Sequence, residues 1–394
     1  MRSNSLRAML LAGLALPGSV LANEVTLYRA FVADQAESTV SVIDLEAGEV
    51  AQTFTLQGPA RLYGTASGQT VFAVQGDNDI VQAISTGIAI DDHGDHGDIE
   101  ISEPELIDGA VEGDYPVHFV EHHGQIALFF DNEGVAKIVG EAGFGTDEPR
   151  IVSAGVPHHG VAAAYGDYVL ITEPHPEDPS ELPVGVNVLD GNDNRVGETY
   201  QCQGLHGEAS SGNLLAIACE TGLLLVTDSA QGPQVSHLPY GDELPEGKVS
   251  TLLGGVGIQY FLGNFGADRV VLIDPAEESF DLVDLPTRRV HFALDNVRPQ
   301  WAYIFTEDGN LHRLNTLSGE IADTLALTEP YSMDGHWADP RPRIAVAGDE
   351  ILVTDPRESI IHRIDAEAFE AVGEIAVPGL PYEVVVAGGS GAVH

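Results

Sequence analysis

Five histidines recur at corresponding places in a repeating unit of this chain, and imidazole is a frequent metal ligand. They are spaced 41, 47, 85 and 45 residues apart: His118, His159, His206, His291 and His336. The interval of 85 residues covers two units, one member of which lacks the histidine. Each histidine opens a short apolar run of the kind that forms a strand. If the units are arranged around one axis, the five imidazoles would line it and could bind a metal ion.

The repeat itself predicts the fold. Residues 291–327 (HFALDNVRPQ-WAYIFTEDG-NLHRLNTLSG-EIADTLAL) read as four short strands separated by turn residues. A period of about 40–47 residues built from such strands is the signature of a β-propeller. The first strand of each blade lines the central channel. We therefore predict an all-β protein with a single β-propeller, each blade being four antiparallel strands.

The number of blades follows from the number of first strands. We place their starts near Leu62, His118, His159, His206, Thr251, His291, His336 and Tyr382. A glycine that does not depend on the histidines follows six residues after most starts: Gly68, Gly124, Gly212, Gly257 and Gly388, with Gly166 one residue later. We therefore expect eight blades, with seven as the alternative.

The two ends of the chain are expected to close the ring. Residues 382–394 are too few for a blade, and residues 26–57 supply the missing strands. A blade built from both termini removes the exposed sheet edge.

The histidines suit zinc, which takes about four N, O or S ligands in tetrahedral geometry. His118, His159 and His206 come from three consecutive blades and form the expected ligand set. His291 and His336 lie further round the ring and would supply a fourth ligand or flank the site. The alternative is a polar, water-filled channel with no metal, and imidazole alone does not separate zinc from copper or nickel.

Other acidic and imidazole groups lie close to these histidines in sequence. Glu208 and Asp334 could orient the ligand imidazoles by hydrogen bonding. One of His122 and His123 should face the channel, whereas His158 should point away from it. We do not expect any of these three histidines to be a primary ligand.

A second histidine-rich stretch lies in blade two. Residues 91–98 read DDHGDHGD, within a loop predicted over residues 90–99. Short histidine-rich tracts bind metal ions adaptably, so this loop, with two imidazoles and four carboxylates in eight residues, is a candidate for a separate low-affinity metal site. We place this loop on the face opposite the starts of the first strands. The alternative is a solvated acidic turn.

The N-terminus and the cysteines indicate an exported protein. Residues 1–22 have basic Arg2 and Arg7, a short apolar stretch and a small-residue cleavage site, which predicts a signal peptide and a propeller domain over 23–394. We expect a periplasmic protein if the source is Gram-negative. Cys202 and Cys219 are the only cysteines, and in an oxidising compartment they should form a disulfide.

The formal net charge is −44, with two lysines among 17 basic residues. Such acidity excludes nucleic acids and anionic membrane surfaces as partners, because the charges repel. Adaptation to a saline habitat or attraction of divalent cations could explain it. No second apolar stretch is long enough for membrane insertion, and we expect a monomer.

The histidine motifs resemble those of one known family. HFVEHHGQIALFFDNEG (residues 118–134), PHHGVAAAYGDYVLITEP (157–174), LHGEASSGNLLAIACETG (205–222) and DDHGDHGD carry the resemblance to the AztD family. The family consists of periplasmic zinc metallochaperones associated with a zinc ABC importer. The resemblance covers essentially the whole mature chain. It implies a propeller that binds Zn²⁺ and hands it directly to the importer's periplasmic zinc-binding protein, with His93, Asp95 and His96 as a flexible accessory site.

The expected function is therefore a zinc carrier and not an enzyme. The chain contains no G-x-S-x-G, H-E-x-x-H or phosphate-binding glycine motif. The sequence leaves two other functions open. One is a zinc-dependent hydrolase with Glu208 as general base, and the other is a metal-free interaction scaffold.

Overall fold

In the described part of the chain the strands form eight sheets, which are antiparallel apart from one parallel contact between Asp98 and Ala392. A computed structural model describes residues 23–93 and 97–393. Within that part of the chain the only helical elements are two single turns of 3₁₀-helix, Gly76–Asn78 and Glu141–Gly143. No helix among the described residues is long and apolar enough to span a bilayer.

The strands follow one another along the chain as short segments. In the first two blades they are β1 (Asn23–Asp34), β2 (Thr39–Asp44), β3 (Glu49–Thr55), β4 (Arg61–Gly64), β5 (Thr70–Gln75), β6 (Ile80–Ser85), β7 (Ile88–Asp92), β8 (Gly97–Ile101), β9 (Glu105–Leu106) and β10 (Val111–Glu112). Blades three to five contain β11 (Pro116–His122), β12 (Gln125–Phe130), β13 (Val135–Gly140), β14 (Arg150–Ser153), β15 (Ala162–Tyr165), β16 (Tyr168–Glu173), β17 (Gly185–Leu189), β18 (Arg195–Gln201), β19 (Glu208–Ser211), β20 (Leu214–Cys219), β21 (Gly222–Thr227) and β22 (Gln234–Pro239). The remaining strands are β23 (Leu252–Leu253), β24 (Phe261–Asn264), β25 (Arg269–Asp274), β26 (Ser279–Asp284), β27 (Arg289–Leu294), β28 (Trp301–Thr306), β29 (Asn310–Asn315), β30 (Glu320–Ala326), β31 (Ile344–Ala347), β32 (Glu350–Asp355), β33 (Ile360–Asp365), β34 (Glu370–Ala376) and β35 (Pro381–Val393).

The sheet topology confirms the eight-bladed propeller. Blades three to eight are four-stranded sheets whose strands pair in chain order. Blade one pairs in the order β3-β2-β1-β35, so the C-terminal strand supplies its first strand and the N-terminus supplies the other three. First strands of neighbouring blades contact one another around the ring, as β31 does with β35 and β35 with β4. The predicted closure by both termini is therefore confirmed.

The core lies between the blades, because each sheet buries both faces against its neighbours. The second strands are buried along nearly their whole length, whereas outer strands such as β3 and β30 alternate between exposed and half-buried residues. Phe72 of blade two and Phe130 of blade three belong to one such interblade cluster. A sheet of short strands with apolar residues on both faces is therefore stable only when a neighbouring blade packs against each face.

The recurring glycines mark the turn between the first and second strands. Gly68, Gly124, Gly166, Gly212 and Gly257 all have positive φ, a conformation that glycine adopts without steric cost. Gly388 differs, because it lies inside β35 opposite Tyr28 of β1.

The predicted start of the last complete blade was wrong. Its first strand, β31, begins at Ile344, and its turn glycine is Gly348 with φ +57°. His336 therefore lies in the connection between β30 and β31. Pro340 and Pro342 lack the N–H that a strand needs to donate, which explains why this segment stays outside the sheet.

The stretch predicted as a loop over residues 90–99 is mostly a β-hairpin. β7 and β8 pair with each other, and β8 pairs with the end of β35 through Asp98 and Ala392. Ile88, Ile90 and Ile99 provide the apolar face of this hairpin. The loop prediction rested on the acidic residues and did not take these isoleucines into account. Gly389 and Gly391 leave the space that these isoleucines occupy, since a Cβ at either position would meet Ile90 or Ile99 within 2.6–2.8 Å.

The predicted signal peptide, residues 1–22, lies outside the described residues and stays a prediction. The first described strand begins at Asn23.

Candidate metal centre

Three of the five ring histidines converge at one end of the propeller axis. His118 lies at the start of β11, whereas His159 and His206 precede β15 and β19. The ring centroids are 4.8 Å apart for His118 and His159, 5.4 Å for His159 and His206, and 6.0 Å for His118 and His206. Three consecutive blades thus bring three imidazoles to one place, as the repeat predicted.

Each of these imidazoles is held through its Nδ1 atom. The Nδ1 of His118 lies 2.9 Å from Glu208 Oε1, and that of His159 lies 2.7 Å from Asp131 Oδ2. The Nδ1 of His206 lies 2.8 Å from the carbonyl oxygen of Ser250. All three partners are acceptors, so each Nδ1 carries the proton and donates it. The Nε2 atoms are then the ones that could bind a metal ion, as in the acceptor–histidine–metal arrangement common at zinc sites.

The separation of the Nε2 atoms suits a tetrahedral ion. His118 Nε2 and His159 Nε2 are 3.2 Å apart. Two ligands at the usual Zn–N distance on a tetrahedral ion lie roughly 3.3 Å apart, and their ring centroids lie roughly 5 Å apart. The widest pair, His118 and His206, exceeds that centroid spacing. Among the described residues the three are not a group whose ligand atoms all lie within 4.8 Å of one another, so closing on an ion requires a small rotation of at least one ring.

The pKa values of His118 and His206 are shifted in opposite directions. Burial acts to lower the pKa of His118, but the carboxylate of Glu208 outweighs it and the pKa lies above its ordinary value. The carboxylate thus favours the protonated form of His118, whose Nε2 lies 3.2 Å from His159 Nε2. Burial and the two neighbouring imidazoles hold the pKa of His206 below its ordinary value, so that ring is neutral.

Two carboxylates behind the histidines each retain an unsatisfied oxygen. Asp131 Oδ1 and Glu208 Oε2 are buried and have no hydrogen-bond partner. The side chains of Asp131 and Glu208 are only 10% and 11% exposed. Two carboxylates beside three neutral imidazoles carry a charge of −2, which a divalent cation would bring to zero. The donor set and its charge therefore fit a divalent metal ion.

The loop that carries His206 is fixed on both sides. A disulfide joins Cys202, just after β18, to Cys219 at the end of β20, as expected. The His206 N–H donates to Ala218 O at 3.1 Å. Gly207 has φ +94°, and a Cβ there would lie 2.7 Å from Ser250 O. The glycine thus lets the backbone approach the carbonyl that orients His206.

The structure does not bring His291 and His336 to this cluster. His291 Nδ1 accepts the Ile344 N–H at 3.1 Å, so its Nε2 carries the proton of the neutral ring. Burial, with Arg343 and Arg289 nearby, holds the pKa of His291 well below its ordinary value. His336 is exposed beside Trp337, and its Nδ1 accepts the Ala338 N–H.

The remaining histidines of these motifs fall into two groups. His158 points away from the axis, as predicted, and is hydrogen-bonded by Val156 O and Thr172 Oγ1 at 2.8 Å. His122 and His123 lie at the opposite end of β11, where both approach Asp228. Burial and the neighbouring His123 lower the pKa of His122 to about 4.

The accessory site is described only in part. His93 Nε2 lies 3.2 Å from Asp98 Oδ2 and 3.7 Å from Asp91 Oδ2. Asp95 and His96 lie outside the described residues. β6 ends, and the β7–β8 hairpin begins, on the face opposite the start of the first strands, as predicted.

The partners of the histidines were only partly foreseen. Glu208 orients an imidazole as expected, but it is that of His118 and not of the nearby His206. Asp334 instead pairs with Arg288. Asp131 was not predicted as a partner. It directly follows β12 of blade three and contacts His159, which precedes the first strand of blade four. A backbone acceptor such as Ser250 O leaves no signal in the sequence.

Comparison with known proteins decides the family. A protein of Citrobacter koseri named "Zinc chaperone AztD" is 49% identical over 388 residues, which cover 98% of this chain and 92% of that protein. The chain belongs to the AztD family. The crystal structure of Citrobacter koseri AztD superposes with a TM-score of 0.92 at 50% identity, covering 94% of this chain and all of that one.

A structure of apo AztD from the same organism superposes with a TM-score of 0.90 at 48% identity, with the same coverage. No family model matches the chain. The AztD resemblance stated from the histidine motifs is thus confirmed across the propeller.

Proposed function

We propose that this AztD-family protein is a periplasmic zinc chaperone that carries Zn²⁺ on His118, His159 and His206. The observation that supports it most is the arrangement of the three imidazoles. Each donates its Nδ1–H to a fixed acceptor, and two buried carboxylates lie behind them with unsatisfied oxygens. A relative that is named a zinc chaperone supports zinc as the cargo.

Competition between protons and zinc for the imidazole nitrogens would let such a site both bind and release its cargo. His118 is the ring at which this competition should be strongest, because Glu208 raises its pKa. Release should be favoured as the pH falls, because protons and zinc compete for the same nitrogen atoms.

The recipient in this proposal is the zinc-binding protein of an ABC importer. The site lies where the first strands of three consecutive blades begin, and the His159 side chain is 33% exposed. Ligands of a partner can therefore approach and replace the imidazoles one at a time. The protein acts as a carrier and not as an enzyme, with Glu208 orienting His118 in place of the general-base role that a hydrolase would require.

Metal analysis is the first test. The protein isolated from the periplasm should contain zinc, and the triple variant His118→Ala/His159→Ala/His206→Ala should lose the tightly bound ion. His291→Asn is the matched control, because its Nδ1 accepts a backbone N–H and it should keep zinc. Retention of tight zinc by the triple variant would overturn the ligand assignment.

Transfer is tested separately. Zinc-loaded protein is mixed with metal-free importer binding protein, either directly or across a dialysis membrane. Direct handover predicts faster transfer in the mixture. Equal rates in the two arrangements would show that zinc passes through solution.

A further inference from the structure

An exposed tryptophan lies at the same end of the propeller as the three candidate ligands. Trp337 is 67% exposed, in the connection between β30 and β31. The guanidinium of Arg61, at the start of β4, stacks over its indole ring at 5.1 Å from the centroid. Tryptophan and arginine are among the side chains most enriched at the centres of protein interfaces. This pair is therefore a candidate contact for another protein.

The connection that carries Trp337 is held in place by side chains of its own segment. Arg341, whose side chain is 7% exposed, donates to Ser332 O at 2.9 Å and to His336 O at 3.1 Å. The His336 N–H donates to Asp339 Oδ2 at 2.9 Å. A side chain presented by a fixed connection loses less conformational freedom when a partner binds. Trp337 is thus preorganised for a contact, although it packs into no part of the core.

A groove of about 440 Å³ leads from Trp337 toward the metal centre. Its apolar lining consists mainly of aromatic rings and prolines, namely Trp337, Tyr115, Tyr382, Pro59 and Pro116. Pro116 and Val117 belong to this lining, and the next residue along β11 is His118. A molecule seated in the groove would therefore lie beside one of the candidate zinc ligands.

The charge of the groove is opposite to that of the protein as a whole. The formal net charge is −44, yet the exposed Arg61 makes no ion pair with any described residue. Asp77 also lines the groove but lies beyond ion-pair distance, whereas nearby Arg343 pairs with Glu383. An exposed guanidinium left unpaired in so acidic a chain favours a carboxylate supplied by another molecule.

We infer that this groove is the docking surface for the protein that accepts the zinc. The acceptor places a carboxylate on Arg61 and an apolar side chain against Trp337. A guanidinium can bind a carboxylate through two parallel hydrogen bonds while it stacks on an aromatic ring, so Arg61 serves both contacts. The inference rests on the function proposed above, because replacing His118 as a ligand requires the acceptor to lie against this end of the propeller.

The first test follows the two tryptophans of the chain, Trp301 and Trp337, by ¹⁹F NMR of the mature protein labelled with 5-fluorotryptophan. Trp337→Phe assigns the resonances, and zinc-loaded and metal-free protein without acceptor are the references. Unlabelled metal-free acceptor should shift or broaden the Trp337 resonance and leave that of Trp301, which packs on Arg313. An unchanged Trp337 resonance would overturn the docking surface. So would a change with the concentration of this protein alone, since a second copy would then occupy the groove.

The second test is the rate of direct zinc transfer at sub-saturating acceptor. Trp337→Ala/Arg61→Gln should keep its zinc, because neither side chain is a ligand, and should transfer it at least about 10-fold more slowly. Leu317→Ala/Arg195→Gln is the matched control. It removes an exposed apolar side chain and an exposed cation at the opposite end of the propeller, where third strands turn into fourth strands. This control should transfer zinc at the wild-type rate.

The outcomes separate docking from zinc carriage. Zinc content and thermal unfolding verify that each variant is loaded and folded. Wild-type transfer by Trp337→Ala/Arg61→Gln would overturn the docking surface and leave the zinc carrier in place. Equal transfer by the wild-type protein with and without a dialysis membrane would instead overturn direct handover, and the docking role with it.

Discussion

At the scale of single residues, the acceptor on each Nδ1 decides what a histidine does in this protein. His118, His159 and His206 donate from Nδ1 and present Nε2 to the axis, whereas His291 uses Nδ1 to accept a backbone N–H. The residue type is the same in all four cases. The neighbouring acceptor or donor determines the tautomer of each ring. The tautomer in turn determines whether the free nitrogen could bind a metal ion or accepts a structural hydrogen bond.

Removing the carboxylate behind His118 should weaken zinc binding. Glu208→Gln keeps an oxygen that can accept the Nδ1–H but loses the charge, so we expect a loss of about 10-fold in affinity. Glu208→Ala should lose about 100-fold, at the upper end of the effect of such partners. Competition with a chromophoric chelator measures both values. Glu198→Gln, at an exposed position of β18, is the control, and wild-type affinity in Glu208→Ala would contradict the orienting role.

The half-buried His291 should make folding sensitive to acid. Its folded-state pKa lies well below the ordinary value because of burial, followed by Arg343 and Arg289. The unfolded state therefore binds the proton first as the pH falls below about 6.5. Stability from this group is complete above that pH and is lost below it, by at most about 1.4 kcal/mol per pH unit.

His291→Asn should remove this dependence, because the amide oxygen can accept the Ile344 N–H and does not titrate. Urea unfolding of the metal-free proteins between pH 7 and pH 5 measures the difference. The free energy of unfolding should fall more steeply for the wild type than for the variant. Parallel curves would mean that His291 is not the titrating group.

At the scale of elements, two of the three candidate ligands lie in short connections that paired strands hold in place. His159 and His206 both lie just before a first strand, so the sheet fixes one side of each residue. The disulfide from Cys202 to Cys219 encloses the His206 segment on the other side. The hairpin β7–β8 shows a similar use of pairing, because it extends the sheet of blade one through β35.

Removing the disulfide should affect both stability and zinc binding. The cross-link spans 17 residues, and a loop of about that length contributes about 3 kcal/mol in the chain-entropy description. Cys202→Ser/Cys219→Ser should therefore unfold at lower temperature and bind zinc more weakly, because His206 lies inside the loop. Calorimetry and chelator competition test the two effects. Reduced stability with unchanged zinc affinity would show that the disulfide does not position His206.

At the scale of the whole molecule, closure of the ring brings all these parts to one axis. β35 pairs with β1 along nearly its whole length and contacts the first strands of both neighbouring blades. Without it, β1 would present a long unpaired edge in place of a first strand. The net charge of −44 adds mutual repulsion, which pairing at the closure must overcome.

Deleting the C-terminal strand should therefore open the propeller. Loss of residues 381–394 removes the first strand of blade one, and we expect aggregation or a strongly lowered unfolding temperature. Loss of residues 389–394 alone is the comparison, because the pairs from Val384 to Ala387 with β1 remain. Size-exclusion chromatography and thermal unfolding distinguish the two. A stable monomer after the longer deletion would contradict closure by β35.

The sequence by itself determined the propeller, its eight blades, the closure by both termini and the three histidines that meet. These features follow from a sequence repeat. When the repeats are arranged in a ring, residues at the same position of consecutive repeats become neighbours in space. The tertiary structure decided the rest. His336 lies outside β31, because Pro340 and Pro342 interrupt the segment before it. His291 Nδ1 accepts the backbone N–H of Ile344. Asp131, the Ser250 carbonyl and Asp228 were brought in by blade packing, and contacts between distant segments leave no periodic signal in a single chain.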